Sequence, residues 1–166
     1  MDNYFKALNQ ILEEKDEITF LSGAGLSTSA GLPDFRSDEN GFWKSNSPVH
    51  FRDFLSSKEY RMKSWQNNIA IHKKLENIKP TKMHILVNKV IHRGTSNFHI
   101  TQNIDGLHRD EAKEKNIIEL HGSIFKAKCL NCGAKYDTLE YFDNLELGTD
   151  CLCSKCREGF VKVSTI

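Results

Sequence analysis

Cys129 and Cys132, then Cys153 and Cys156, make two C-x-x-C pairs with twenty residues between them. Thiolates at that spacing supply the tetrahedral sulfur cage that structural Zn²⁺ prefers, each pair giving two ligands. Four sulfurs close the coordination sphere and leave no place for water, so such a metal holds structure and the chemistry must lie elsewhere. Cys151, the fifth cysteine, reads as a bystander or as a substitute for Cys153. Upstream, Gly23-Ala24-Gly25 follows an apolar stretch. Glycines there permit a tight turn and let backbone N–H groups approach a phosphate closely. Glycine turns after strands are common, however, and position 28 is Thr where a full G-x-G-x-x-G fingerprint has its third glycine. Gly31-Leu32-Pro33-Asp34-Phe35-Arg36-Ser37 adds a rigid turn with an acid, an aromatic and an arginine. Arg36 reads either as a bidentate phosphate ligand or as part of a solvated surface turn.

These residues need a frame. Phe5, Leu8, Ile11 and Leu12 recur at helical spacing, which predicts an amphipathic helix over 3–14. Glu17-Ile18-Thr19-Phe20-Leu21 reads as a short buried strand running into the glycine turn, with a helix start after it. Strand, glycine turn and helix open a dinucleotide-binding βαβ unit. Residues 33–49, punctuated by Pro33, Gly41 and Pro48, read as loop. Residues 50–78 read as helices; Pro80 ends that run, and another helix begins at Thr81 and stops near Gly94. Asn97-Phe98-His99-Ile100-Thr101 is a second strand. The expected architecture is α/β. A Rossmann-like parallel sheet comes from 1–50 and 80–124, with a helical module at 51–79 and a zinc ribbon at 125–162.

The chain has 166 residues and a formal net charge of +1, so no basic field argues for nucleic acid. No apolar run approaches transmembrane length, and the start lacks the basic and apolar regions of a secretory signal. Paired cysteines without a signal favour thiolates on metal over disulfides. The expected setting is cytoplasmic. His84, His99 and His108 read as structural or solvated, Trp43 and Trp65 as core anchors, and the Lys/Glu run at 111–115 as a solvated helix face. Asp105 suits a helix N-cap before Gly106, which is compatible with a ligand contact.

Four segments together resemble the sirtuins, the NAD⁺-dependent protein deacylases. Gly23 to Ser27 with Gly31 to Arg36 is similar to their first signature, and Thr101-Gln102-Asn103-Ile104-Asp105-Gly106-Leu107-His108 to their second. Leu120-His121-Gly122 resembles the catalytic histidine motif, and the two C-x-x-C pairs resemble the zinc ribbon. Lys79-Pro80-Thr81 with His84 is similar to a proline-asparagine-x-x-histidine segment, Thr81 standing in place of the asparagine.

The resemblance implies that Gly23, Ala24 and Gly25 lie along the NAD⁺ phosphates with Arg36 nearby. Asp34 and Phe35 would lie by the nicotinamide and its ribose. Gln102 and Asn103 would orient that ribose, and Ile104 and Asp105 would hold the carboxamide. His121 would be the general base on a ribose hydroxyl, with Asn103 its catalytic companion. The substrate would be an acyl-lysine protein or peptide, and the products nicotinamide, free lysine and an O-acyl-ADP-ribose. NAD⁺ would be the co-substrate and one Zn²⁺ structural. Two other functions fit the same residues: a truncated, non-catalytic interaction module, or mono-ADP-ribosyl transfer. The resemblance also implies a longer catalytic domain whose later strands meet the adenosine half of NAD⁺. The chain is therefore expected to be an N-terminal portion that binds NAD⁺ weakly, turns over little alone, and self-associates through its incomplete sheet.

Overall fold

The computed structural model describes residues 2–32, 47–146 and 148–166; the expectations placed on Pro33, Asp34, Phe35, Arg36, Gly41 and Trp43 fall outside that range. Helix α1 (Asp2–Glu14) leads into strand β1 (Thr19–Ser22) and the short helix α2 (Gly25–Thr28). Helices α3 (Phe51–Ser56), α4 (Lys58–Leu75) and α5 (Lys82–His92) follow. Then come β2 (Phe98–Thr101), a 3-10 turn (Glu111–Asn116) and β3 (Ile117–Glu119). The last stretch holds β4 (Gly122–Cys129), β5 (Lys135–Asp137), a 3-10 turn (Thr138–Tyr141), α6 (Phe142–Glu146) and β6 (Val161–Thr165).

Local chemistry sets the helix starts. The Ser57 hydroxyl accepts from the Tyr60 N–H to cap α4. Thr81 and His84 cap α5 reciprocally, the threonine side chain taking the His84 N–H and the imidazole taking the Thr81 N–H. Helix α4 stops at Leu75, where the Ile78 N–H turns back to the Leu75 carbonyl, and Pro80 lies in the connection before the cap.

Strands β1, β2 and β3 form one parallel sheet in that order. Ser22 is the register partner of Thr101, and Thr101 of Glu119. The three strands therefore end level, and the loops after them leave from one edge. That is where a parallel sheet presents ligand-binding residues. Buried Asn97 locks the layers: its Oδ1 accepts from the Ile18 N–H at 2.8 Å and its Nδ2 donates to the Val90 carbonyl at 2.8 Å.

Strands β5, β4 and β6 form a separate antiparallel sheet, which extends on both sides of 125–162. Phe54 and Trp65 from the helices enter its core with Tyr141, Leu145, Val161 and Val163. Trp65 stacks on Tyr141 with centroids 5.5 Å apart and donates from Nε1 to the Val161 carbonyl at 3.1 Å. Arg61 grips Asp150 through Nε at 2.8 Å and Nη2 at 2.6 Å, and its guanidinium lies 3.7 Å from the Phe160 ring centroid. The helices and the cysteine region thus share a core. Among the described residues no helix is long and apolar enough to cross a membrane.

Candidate active site and metal centre

Three loops at the level strand ends carry the residues of interest. The first is the glycine turn. Neither Gly23 nor Gly25 has a positive φ, so left-handed backbone geometry is not what calls for glycine here. A Cβ on either would meet nothing within 4 Å among the described residues, which leave open space over the backbone. That fits a phosphate cradle, since backbone N–H groups are then reachable. Ala24 follows helical geometry and accepts from the Ser27 N–H at 2.9 Å and the Thr28 N–H at 3.1 Å, which starts α2.

The second loop follows β2. Its side chains form a buried chain of hydrogen bonds with the first. Ser22 Oγ donates to Thr101 Oγ1 at 2.8 Å, and Thr101 Oγ1 also accepts from the Asn103 N–H at 3.1 Å. Asn103 Nδ2 donates to Ser27 Oγ at 3.1 Å, and Ser27 Oγ donates to Asp105 Oδ2 at 2.7 Å. Asp105 Oδ1 takes the Leu107 N–H at 2.9 Å. Burial by itself raises the Asp105 carboxyl, but His108, the Ser27 hydroxyl and the Leu107 N–H outweigh it and hold Asp105 below the ordinary carboxylate range. Gln102 is exposed, and Ile104 packs against the Ile71–Ile124 cluster while its carbonyl accepts from the Ile124 N–H at 3.2 Å.

The third loop follows β3 and carries His121. Its Nδ1 lies 3.0 Å from the Gln102 carbonyl. A carbonyl only accepts, so Nδ1 carries a proton, which in a neutral imidazole places the lone pair on Nε2. The loop that carries Asn103 and Asp105 thereby fixes the orientation of the His121 ring. Gly122 behind it has φ +75°, and a Cβ there would sit 1.7 Å from the Ser164 carbonyl oxygen; only glycine lets β4 pass β6 at this point.

The structure brings Gly23, Ala24, Gly25, Gln102, Asn103, Ile104, Asp105 and His121 to one edge of the sheet. Asp34, Phe35 and Arg36 fall outside the described residues. Ser22, Ser27 and Thr101 complete the network and had no role assigned from sequence. Ser27 stood inside the glycine signature and Thr101 at the end of a strand, so their places were visible but their bonds, which join distant segments, were not. A separate cleft of about 740 Å³, bordered by Arg109, Glu119 and Lys126 among others, holds none of these residues.

The cysteine sulfurs converge elsewhere. Those of Cys129, Cys132, Cys153 and Cys156 all lie within 4.8 Å of one another. The Cys129–Cys156 and Cys132–Cys153 separations are both 3.7 Å; sulfurs ~2.3 Å from a tetrahedral Zn²⁺ sit about 3.8 Å apart. Backbone N–H groups of Asn131 and Cys132 point at Cys129 Sγ at 3.4 Å, and that of Gly159 at Cys156 Sγ at 3.4 Å. A Cβ on Gly159 would come within 2.5 Å of Cys129 Sγ. For Cys153, burial acts upward, but the Cys156 N–H, the Tyr136 hydroxyl and the Lys155 N–H bring the thiol down to about 6. The four thiols fit a closed, divalent, structural site. Cys151 is not among them; its sulfur sits in the core beside Asp150, where burial first and the carboxylate second push it up to about 12.

A parallel sheet with a glycine turn and polar loops at its strand ends, joined to a four-cysteine antiparallel ribbon, defines an α/β protein with a candidate nucleotide site and four thiols placed to hold a structural metal. The Sir2 family profile matches residues 23–165, and the chain belongs to that family. An NAD-dependent protein deacetylase of Sulfolobus acidocaldarius is 39% identical over 147 residues, 86% of this chain and 55% of that protein. One from Clostridium acetobutylicum is 35% identical over 163 residues, 96% of this chain and 64% of that protein. Among solved structures, a sirtuin studied for substrate affinity matches with a TM-score of 0.78 at 31% identity, over 97% of this chain and 64% of that one. A Sir2 bound to a p53 peptide and NAD⁺ matches with a TM-score of 0.76 at 28% identity, over 98% of this chain and 63% of that one. Against three of its curated relatives, the chain spans 50%, 63% and 51% of their length.

Proposed function

We propose that this chain serves NAD⁺-dependent removal of acyl groups from lysine side chains, with release of nicotinamide and an O-acyl-ADP-ribose. The observation that carries the reading is the convergence of three loops: the open glycine turn, the Asn103–Asp105 loop, and His121 with its Nδ1 held on the Gln102 carbonyl. NAD⁺, when bound, supplies the ribose carbon that the acyl oxygen attacks as nicotinamide leaves. The amide oxygen is a weak nucleophile, so the chain's task is to position and to exclude water. Gly23, Ala24 and Gly25, with Arg36, hold the phosphates. Asp34, Phe35, Gln102 and Asn103 orient the nicotinamide ribose, Ile104 and Asp105 take the carboxamide, and His121 Nε2 accepts the proton of a ribose hydroxyl.

Zn²⁺ on Cys129, Cys132, Cys153 and Cys156 holds the ribbon and takes no part in the reaction. The partner is an acyl-lysine protein or peptide, not nucleic acid, and four reduced thiols suit the cytoplasm. In the division of labour, 1–50 and 80–124 form the NAD⁺ part, 51–79 the helical module and 125–162 the ribbon. Among the described residues β1 has one sheet neighbour, and its free edge is a route to self-association.

The test is incubation with an acetyl-lysine peptide and NAD⁺, with detection of O-acetyl-ADP-ribose by mass spectrometry. Slow formation that His121→Ala abolishes is expected. Product that persists in the variant, or deacetylation without NAD⁺, would contradict the reading.

A further inference from the structure

Three histidines lie close to the candidate site, and the reading of that site uses none of them. His84 of α5, His99 of β2 and His108 after β2 are each fully buried. The His99 and His108 rings meet edge to face with centroids 5.7 Å apart. Adjacent buried charges of one sign repel, so the hydrogen bonds decide which imidazole carries a proton. His84 Nδ1 accepts the Thr81 N–H at 3.1 Å as part of the α5 cap, so protonating it would break the cap. His99 Nε2 donates to Ser22 Oγ at 2.7 Å, because the Ser22 proton is committed to Thr101. His99 Nδ1 has no partner, so a proton there would be buried unpaired. His108 alone faces two acids: Nε2 lies 3.1 Å from Glu119 Oε1, a hydrogen bond, whereas Nδ1 lies 3.8 Å from Asp105 Oδ1, close enough to attract a charge but too far for a hydrogen bond, and has no other partner among the described residues.

We propose that His108 is a buried imidazolium bridging Asp105 and Glu119, and that this clamp positions the Asp105 carboxylate for the nicotinamide carboxamide. The proposal rests on the NAD⁺ reading above. A neutral His108 has one N–H for two carboxylates, so one acid would face a bare lone pair. Asp105 has its other oxygen on Ser27, which makes the His108 contact the remaining restraint on its rotation besides the Leu107 N–H. The other charged and titratable groups around the clamp are His84 of α5 and His99 of β2, with Arg109 at 3.4 Å and Lys126 at 3.7 Å from the Glu119 carboxylate. The electrostatics agree. Burial lowers His84, and burial together with His108 and His84 takes His99 down to about 4. For His108 burial also acts downward, but Asp105 and Glu119 outweigh it and raise it above the ordinary imidazole value. His108 touches no reacting atom and is a positioning residue.

The experiment is an NMR titration of the 166-residue chain, following the His108 imidazole nitrogens and the Leu107 amide, which reports on Asp105. The His108 midpoint should lie above the ordinary imidazole value. Glu119→Gln should lower that midpoint by at least ~1 pH unit, and the Leu107 amide should titrate with it. A His108 that is neutral at pH 6, a midpoint unmoved by Glu119→Gln, or a Leu107 amide indifferent to it would each overturn the proposal. Nicotinamide-proton saturation transfer from added NAD⁺, recorded on the same samples, should weaken with the His108 midpoint; a signal flat across that pH range would also overturn the positioning role. Absence of that signal at every pH would count against the NAD⁺ reading instead, and the imidazole and amide signals would still judge the clamp.

Discussion

His121 and Asp105 divide the candidate site between a half-buried imidazole and a buried acid, and the two should answer differently to substitution. Among the described residues His121 makes one side-chain hydrogen bond, to the Gln102 carbonyl. His121→Ala should leave unfolding free energy within about 0.5 kcal/mol of wild type while removing product formation. Equilibrium urea unfolding beside the mass-spectrometric assay checks both halves. Asp105 is held by His108, Ser27 and Leu107, so its folded pKa lies below its unfolded one. Its stabilisation is complete above the unfolded value of ~3.9 and is lost as pH falls through the folded value. Asp105→Asn should cost about 3 kcal/mol at pH 7, since it leaves buried partners without their charge, and should flatten the acid side of the stability profile. A variant profile parallel to wild type down to pH 2 would contradict this. The cysteine spacing and the Asn103–Asp105 segment were legible because each is a local pattern. The burial of His84, His99 and His108 was not: "solvated" fails for all three, because three separate elements must meet before any one of them is enclosed.

At the scale of elements, the strand before the glycine turn and the strand before Gln102 were readable from short stretches rich in β-branched and aromatic residues, but the first is not the buried strand expected: its residues alternate between exposed and half-buried, and Leu21 is 69% exposed. β3 was not, being three residues between a charged turn and His121, too short for any period to show. The Lys/Glu run at 111–115 becomes a 3-10 turn with a kink at Lys113, since no apolar stripe gives it a helical face to bury. The glycine signature was legible, but its physical reason differs from the expected tight turn: Gly23 and Gly25 leave space, whereas Gly122 is the glycine that backbone geometry requires. Gly122→Ala is therefore expected to cost at least ~2 kcal/mol through the strained φ and the clash with Ser164, and to weaken β4–β6 pairing. Amide hydrogen exchange at Lys128 and Val163 would report it; unchanged protection there would rule the clash out.

Over the whole molecule, the metal centre and the helices are linked through aromatic contacts. Tyr136 Oη lies 2.9 Å from Cys153 Sγ, Tyr136 meets Tyr141 edge to face at 5.3 Å, and Tyr141 stacks on Trp65. Removing zinc with a chelator should melt the ribbon and shift Trp65 emission to the red in a Trp43→Phe background, with one zinc released per chain. Purified protein that contains no zinc, or emission indifferent to the chelator, would count against the closed site. The parallel sheet offers three level strand ends, and the nicotinamide end of NAD⁺ is the part those loops are proposed to hold. The most direct measurement is saturation-transfer NMR on the chain with NAD⁺, which detects weak binding. Transfer to the nicotinamide protons that Asn103→Ala and Asp105→Asn abolish is the expected result. No transfer in wild type, or transfer that both variants retain, would contradict the assignment of this site to NAD⁺.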